Sequence, residues 1–372
     1  MVQLIDTTLR EGEQTPGVVF NIDMKKAIVQ HLVAIGIDEI ELGIASAKKE
    51  DMVQLTDWIH TAFPEQPFSL WSRCRTEDIY SAARLSPSVM ALSIPVSDLH
   101  LERKLGKDRT WAKKQLASSI ALALSCGVAK VAVGFEDATR ADLSFVTQLA
   151  HVAHNSGAFR LRLADTVGVA SPKQMAALLD AIACVGLQRG VHCHNDFGMA
   201  TANTIASFEY GADWGDVTVM GIGERAGNSR LEEVVSYLTL QKGLAKYDLH
   251  SLQRLSRLVA HGAGRTISSA RPILGEKLFT CETGLHVQGL MADPQTYEPF
   301  APERIGAKRQ ILIGAKSGCR AIAATRQRLS LPSLNEMMLA KFTSRVRRVA
   351  HDLQRPLADH ELVELASMQS IN

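Results

Sequence analysis

Eight short runs rich in apolar and β-branched residues recur along the first two thirds of this chain, and a longer stretch with helical apolar spacing follows each. The runs are VQLIDTTL (2–9), DEIELGIA (38–45), PFSLWSRC (67–74), VMALSIPV (89–96), KVAVGFED (130–137), FRLRLADT (159–166), GVHCHND (190–196) and DVTVMGIG (216–223). Parallel strands must be joined by helical crossovers, so this alternation confines the chain to α/β architectures. Eight units without a long gap predict a closed (β/α)8 TIM barrel. An open doubly wound sheet is the runner-up, and would need fewer strands or a reversal of strand order that the sequence does not reveal.

The intervening stretches carry helix signals. DMKKAIVQHLVAIG has apolar positions at helical spacing, and SPKQMAALLDAIACVG opens with Ser171 as a cap and Pro172 in the first turn. LEEVVSYLTLQKG closes the series. After residue 245 the pattern changes to helix, then a Gly- and Pro-rich stretch, then helix again. We place the barrel at residues 1–245 and a small, mainly helical C-terminal region, a lid or subunit-contact subdomain, at 246–372. The 372 residues suffice for one large domain and such an appendage.

Composition excludes several classes. The net charge of +2 argues against nucleic acid or a membrane surface as the main partner. No apolar run approaches a membrane span, and the N-terminus shows no signal peptide. Six scattered cysteines without CxxC spacing read as reduced thiols of a cytoplasmic protein.

In such a barrel the chemistry sits at the C-terminal ends of the strands. That rule selects Arg10, Glu11 and Gln14 after the first strand, His100 after the fourth, Glu136 and Asp137 on the fifth, and Asp165 and Thr166 on the sixth. It selects His192 and His194 on the seventh, and Glu224, Arg225 and Asn228 after the eighth. Residues two apart on a strand share a face, so His192 and His194 project together. Two imidazoles and the Glu11 carboxylate make a facial metal set with open positions for substrate. The bland alternative, two hydrogen-bonded core histidines, is outweighed by Glu11 at the end of another strand. GIGERAGN has the glycine for a phosphate loop but lacks GxGxxG spacing and a lysine. His286, in ETGLHVQG, lies beyond the barrel and taken alone reads as a surface residue.

LIDTTLREGEQTPGV, HCHNDFGMATANT, GIGERAGN and ETGLHVQG together resemble the homocitrate synthase and isopropylmalate synthase family. These are barrel enzymes that join acetyl-CoA to a 2-oxo acid. The resemblance runs from residue 3 to about 325, with the motifs in the family's order. VGFEDATRADLSF, LADTVGVASP and NDFGMATANT look most like the homocitrate synthases that serve nitrogenase cofactor assembly, and so link the chain to nitrogen fixation. The resemblance implies one divalent metal (Zn, Mn, Fe or Mg) held by Glu11, His192 and His194, with Asn228 at or near it. It implies that Arg10 contacts the substrate oxygen, and that Gln14, His100, Glu136 and Thr166 lie beside the 2-oxo acid. Glu224 falls on an active-site glutamate, and His286 on the residue that deprotonates acetyl-CoA. Acetyl-CoA is the implied co-substrate, 2-oxoglutarate the implied 2-oxo acid, and a homodimer the implied assembly.

The chain also departs from the family. Ala315-Lys316 stands where many relatives have Lys-His, and Arg309 where some have tyrosine. AVGFED lacks the arginine that eukaryotic lysine-pathway homocitrate synthases place just before the Glu136 position. No long C-terminal extension resembles a leucine-sensing domain. Three alternatives follow. The same chemistry could act on another 2-oxo acid, giving 2-isopropylmalate, citramalate or a phosphonate analogue. A carbon–carbon lyase, or a non-catalytic paralogue, could use the same scaffold.

Overall fold

The computed structural model describes residues 2–45 and 50–368. They form two compact units, Met1–Ile267 and Ser268–Asn372. The first is a closed barrel of eight parallel strands: β1 (Gln3–Asp6), β2 (Glu39–Ile44), β3 (Phe68–Arg73), β4 (Val89–Pro95), β5 (Val131–Glu136), β6 (Arg160–Asp165), β7 (Gln188–Cys193) and β8 (Trp214–Val217). Each strand pairs with the next, and β8 closes on β1 with Gln3 opposite Trp214 and Asp6 opposite Val217. The predicted (β/α)8 barrel followed by a helical region is the observed architecture.

The crossover helices are α1 (Ile22–Ile35), α2 (Glu50–Ala62), α3 (Thr76–Ala83), α4 (Arg109–Ser125), α5 (Leu143–Asn155), α6 (Pro172–Ala181), α7 (Ala200–Glu209) and α8 (Leu231–Leu240). Local sequence explains their ends. Asn21 caps α1 by accepting from the Met24 N–H at 2.9 Å. Gly36 ends α1 with φ +88°, where a Cβ would meet the Lys246 carbonyl at 2.8 Å, so only glycine fits. Ser171 and Pro172 open α6 as the sequence predicts, and Gln174 Oε1 accepts from the Ser171 N–H at 2.9 Å.

The apolar core lies between strands and helices. Alternate strand residues such as Ile40, Leu92, Phe135, Leu161 and Val191 are buried outward under the helices. The barrel interior is charged instead. Glu39 pairs through both carboxylate oxygens with Arg160, at 2.7 and 2.8 Å, and Arg160 stacks on Trp214. That layer plugs the barrel floor and leaves the mouth open. An ion pair buried this completely is held only because each charge has its partner.

Three boundaries differ from the sequence reading. The division between units falls at 267 rather than 245, because α9 (Leu252–Gly262) packs on α1. Strand β8 ends at Val217, since Met220 and Gly221 turn the chain with φ of +59° and +66°. Strand β7 begins at Gln188, which pairs with Arg160, and ends before His194.

The second unit holds a two-stranded parallel pair, β9 (Thr280–Cys281) and β10 (Gln310–Ile311). Its helices are α10 (Gly284–Ala292), α11 (Cys319–Arg328), α12 (Glu336–Leu353) and α13 (Asp359–Ser367). Its core gathers Val287, Ile313, Ile322, Phe342 and Val346. No described helix is long and apolar enough to cross a membrane. All six cysteines are free thiols, and burial pushes the Cys74 thiol up to about 12.

Candidate active site

A cavity of about 260 Å³ opens at the barrel mouth. Of the residues the sequence selects, Arg10, Glu11, Gln14, Glu136, Thr166, His192, His194 and Glu224 line it. They come from the ends of β1, β5, β6, β7 and β8.

The metal-ligand candidates meet on one side. One ligand atom each from Glu11, His192 and His194 lie within 4.8 Å of one another, and all three residues are buried. The two Nε2 atoms are 3.2 Å apart, and the Glu11 oxygens lie 3.7 Å from His194 Nε2 and 3.9 Å from His192 Nε2. Donors bound at about 2.1 Å in a tetrahedral arrangement are about 3.4 Å apart, so the set fits one ion with little adjustment. Burial, with His194 alongside, holds the His192 imidazole well below its ordinary value, and burial lowers His194 too. Both shifts favour the neutral imidazole, the form that binds a metal. Burial pushes the Glu11 carboxyl up, but Arg10 and the two histidines outweigh it and hold it below the usual range.

Asn228 completes this side. His194 and Asn228 form an isolated antiparallel bridge, which sets the two residues side by side. The Asn228 Nδ2 group donates to the Ile222 carbonyl at 3.0 Å, while its Oδ1 is buried without a partner. An orphaned acceptor oxygen beside two imidazoles and a carboxylate is suited to a cation. The glycines of GIGERAGN serve this packing rather than a phosphate. A Cβ on Gly223, whose φ is +157°, would lie 2.1 Å from Asn228 Nδ2.

Behind the cavity, charges alternate from Glu11 to Asp216 in one chain of contacts that ends on His192. Glu11 pairs with Arg10, whose Nε donates to Glu41 Oε2 at 2.5 Å. Glu41 Oε1 accepts from Arg162 Nη1 at 3.0 Å, and the same nitrogen donates to Asp216 Oδ2 at 2.8 Å. Asp216 Oδ2 accepts from His192 Nδ1 at 2.9 Å. That last bond fixes the tautomer, because a carboxylate only accepts; the proton sits on Nδ1 and the Nε2 lone pair faces the cavity. Asp216→Asn is expected to weaken metal binding by about 10- to 100-fold. Chelator-competition titration measures this, and an unchanged affinity would remove Asp216 from that role.

The opposite wall is built on Glu136. Its Oε1 accepts from His100 Nδ1 at 3.0 Å and from Lys104 Nζ at 2.5 Å. His100 Nε2 is in turn 3.3 Å from Arg140 Nη2, which donates to it. Thr166 Oγ1 accepts the Asp137 N–H at 2.8 Å. Asp137 is itself buried with φ +62° and holds Ser97 Oγ at 2.5 Å and Arg140 at 2.8 Å. Gln14 Nε2 donates to Glu11 at 3.2 Å. Arg225 spans three loops by binding Asp196, the Thr166 carbonyl and Glu224.

His286 is not on the barrel. It lies exposed on α10 of the second unit, its ring 4.4 Å from that of Tyr297. There Arg309 is clamped on Glu298 at 2.5 and 2.6 Å. The backbone of Lys316 braces the start of α10: its carbonyl accepts from Gly284 at 3.0 Å and its N–H donates to Glu282 at 3.0 Å.

Sequence reasoning missed Trp71, Ser93, Lys104, Glu41, Arg162 and Asp216. One signal was available. Glu39 and Glu41 in β2, and Arg160 and Arg162 in β6, are charges two apart within otherwise apolar strands. In a barrel such a pattern marks an inward face that must find opposite charge across the interior.

The chain matches the family description "HMGL-like" over residues 1–259 and "Homocitrate synthase post-HMGL domain-like" over residues 273–354. It is 42% identical over 319 residues to the homocitrate synthase of Frankia alni, covering 85% of this chain and 90% of that one. It is 39% identical to 2-isopropylmalate synthase 2 of Caldanaerobacter subterraneus subsp. tengcongensis, covering 98% of this chain and 94% of that one. Among solved structures, the HMG-CoA lyase of Bacillus subtilis shares the fold with a TM-score of 0.64 at 17% identity, covering 72% of this chain and 95% of that one.

Proposed function

We propose, from the premise that this chain belongs to the HMGL-like, homocitrate synthase family, that it is a homocitrate synthase joining acetyl-CoA to 2-oxoglutarate. Its membership makes it a condensing enzyme that acts on 2-oxo acids. The observation that supports the condensation chemistry is the convergence of Glu11, His192 and His194 beside Arg10 in one cavity, while the choice of 2-oxoglutarate rests on the likeness to homocitrate synthases. Glu11, His192 and His194 would hold a divalent ion, with Asn228 near it, and that ion would supply Lewis-acid polarisation of the substrate ketone.

This chain's own residues do the rest. Arg10, held rigid by Glu41 and Glu11, keeps a positive charge where negative charge develops on the former ketone oxygen. Gln14, Thr166 and Glu136, steadied by His100, line the space for the 2-oxo acid. The family resemblance assigns His286 the role of base toward the acetyl methyl group and Glu224 that of an active-site glutamate. The carbanion so formed attacks the ketone carbon; as the new carbon–carbon bond forms, the C=O π pair moves onto the oxygen, which becomes an alkoxide and is then protonated. Water hydrolyses the thioester, releasing homocitrate and the CoA thiol. A homodimer is the assembly that this reading expects.

Free-thiol release tests the reading with purified protein, acetyl-CoA and a panel of 2-oxo acids. The expected result is fastest release with 2-oxoglutarate. Release with 2-oxoisovalerate or pyruvate but not 2-oxoglutarate would move the assignment to isopropylmalate or citramalate synthesis.

A further inference from the structure

The reaction cavity has an annex. A second cavity of about 240 Å³ lies against it, and the two share Trp71, Ser93, Lys104 and Glu136 in their walls. The annex is one-sided in charge. Arg73, Arg75, Lys104 and Lys107 line it, against the single carboxylate of Glu136.

These cations are not equally available. Arg73 is committed to Asp78 at 2.6 and 3.2 Å. Lys107 rests against the Trp111 ring, its Nζ 5.9 Å from the centroid. Lys104 stands where the two cavities meet, its Nζ 2.5 Å from Glu136 Oε1. An ammonium has three N–H donors, and one bond to Glu136 leaves others for a ligand. Lys104 sits in a single π-helical turn, His100–Leu105, that carries His100 onto the same Glu136 oxygen. Such turns re-aim side chains at functional sites. Strand β5 contributes Gly134 to the reaction cavity and Glu136 to both cavities, and no cation to either.

An uncharged substrate end entering the annex would strip water from these cations and return nothing. A second anionic group would return charge-assisted hydrogen bonds. We propose that the annex takes the second anionic group of the 2-oxo acid, and that Lys104 is the residue that selects a dianionic acid over a monoanionic one. The inference rests on reading the adjoining cavity as the 2-oxo acid site.

The test compares 2-oxoglutarate with 2-oxopentanoate, which has the same chain length and a methyl in place of the distal carboxylate. Metal-loaded full-length protein is titrated calorimetrically with each, as wild type, Lys104→Gln and Lys104→Arg. Wild type is expected to bind 2-oxoglutarate at least about 10-fold more tightly. Lys104→Gln should weaken 2-oxoglutarate by about 10- to 100-fold and leave 2-oxopentanoate within about threefold. Lys104→Arg should keep most of the preference. Equal binding of the two acids to wild type, binding of neither, or equal weakening of both by Lys104→Gln would each overturn the proposal; the last would mark Lys104 as a support for Glu136. Selective binding of 2-oxoglutarate without CoA release from any acid would instead overturn the condensation reading and leave the annex standing.

Discussion

Arg10→Ala is expected to lower kcat by about 100- to 1000-fold, the usual cost of removing one preorganised charge from a developing oxyanion. The variant should keep its metal, because Arg10 touches Glu11 but is not itself a ligand candidate. Its loss leaves Glu41 with Arg162 as the remaining cation, so the buried network survives in part. Arg10→Lys restores the charge but not the fork that reaches Glu41 and Glu11 together, and should recover only a fraction of the rate. Steady-state kinetics with metal content measured on the same samples separates the two effects. Near-normal turnover in Arg10→Ala would overturn the role given to the guanidinium.

His192→Ala should be more severe. It removes one of three ligand atoms and one of the two donors to Asp216 Oδ2, leaving that oxygen with Arg162 alone. Lewis-acid polarisation contributes several kcal/mol to a reaction of this kind, and each 1.36 kcal/mol is tenfold in rate. The expected loss in kcat is on the order of 1000-fold or more, with sub-stoichiometric metal after dialysis. His194→Ala should behave alike, and His194 lacks a carboxylate behind it, since its Nδ1 has no partner. Full metal content with unchanged kinetics in either variant would mean that these imidazoles are core residues.

The fold was legible because strand and helix periods differ and the alternation repeats eight times. Glu11, His192 and His194 were legible for a related reason: strand ends are where a barrel exposes chemistry, and a two-residue spacing fixes a shared face. What stayed hidden depends on contacts across the chain. Arg162 meets Glu41 and Arg160 meets Glu39 across 121 residues each, so nothing local shows that these charges are buried and paired. Lys104 was hidden because a lysine after a strand reads as a solvated side chain; its meaning lies in the π-turn that sets it over Glu136. The end of β8 was misjudged because VMGIG reads as a strand, while Met220 and Gly221 turn with positive φ. That turn lets Thr8 Oγ1 accept the Val219 N–H at 2.8 Å and ties the first and last units of the barrel together.

The most direct test of the account is metal content measured alongside turnover. Purified protein should hold about one divalent ion per chain, lose CoA release from acetyl-CoA and 2-oxoglutarate when the ion is stripped by chelator, and regain it when the ion is returned. Undiminished CoA release from demonstrably metal-free protein would contradict the account.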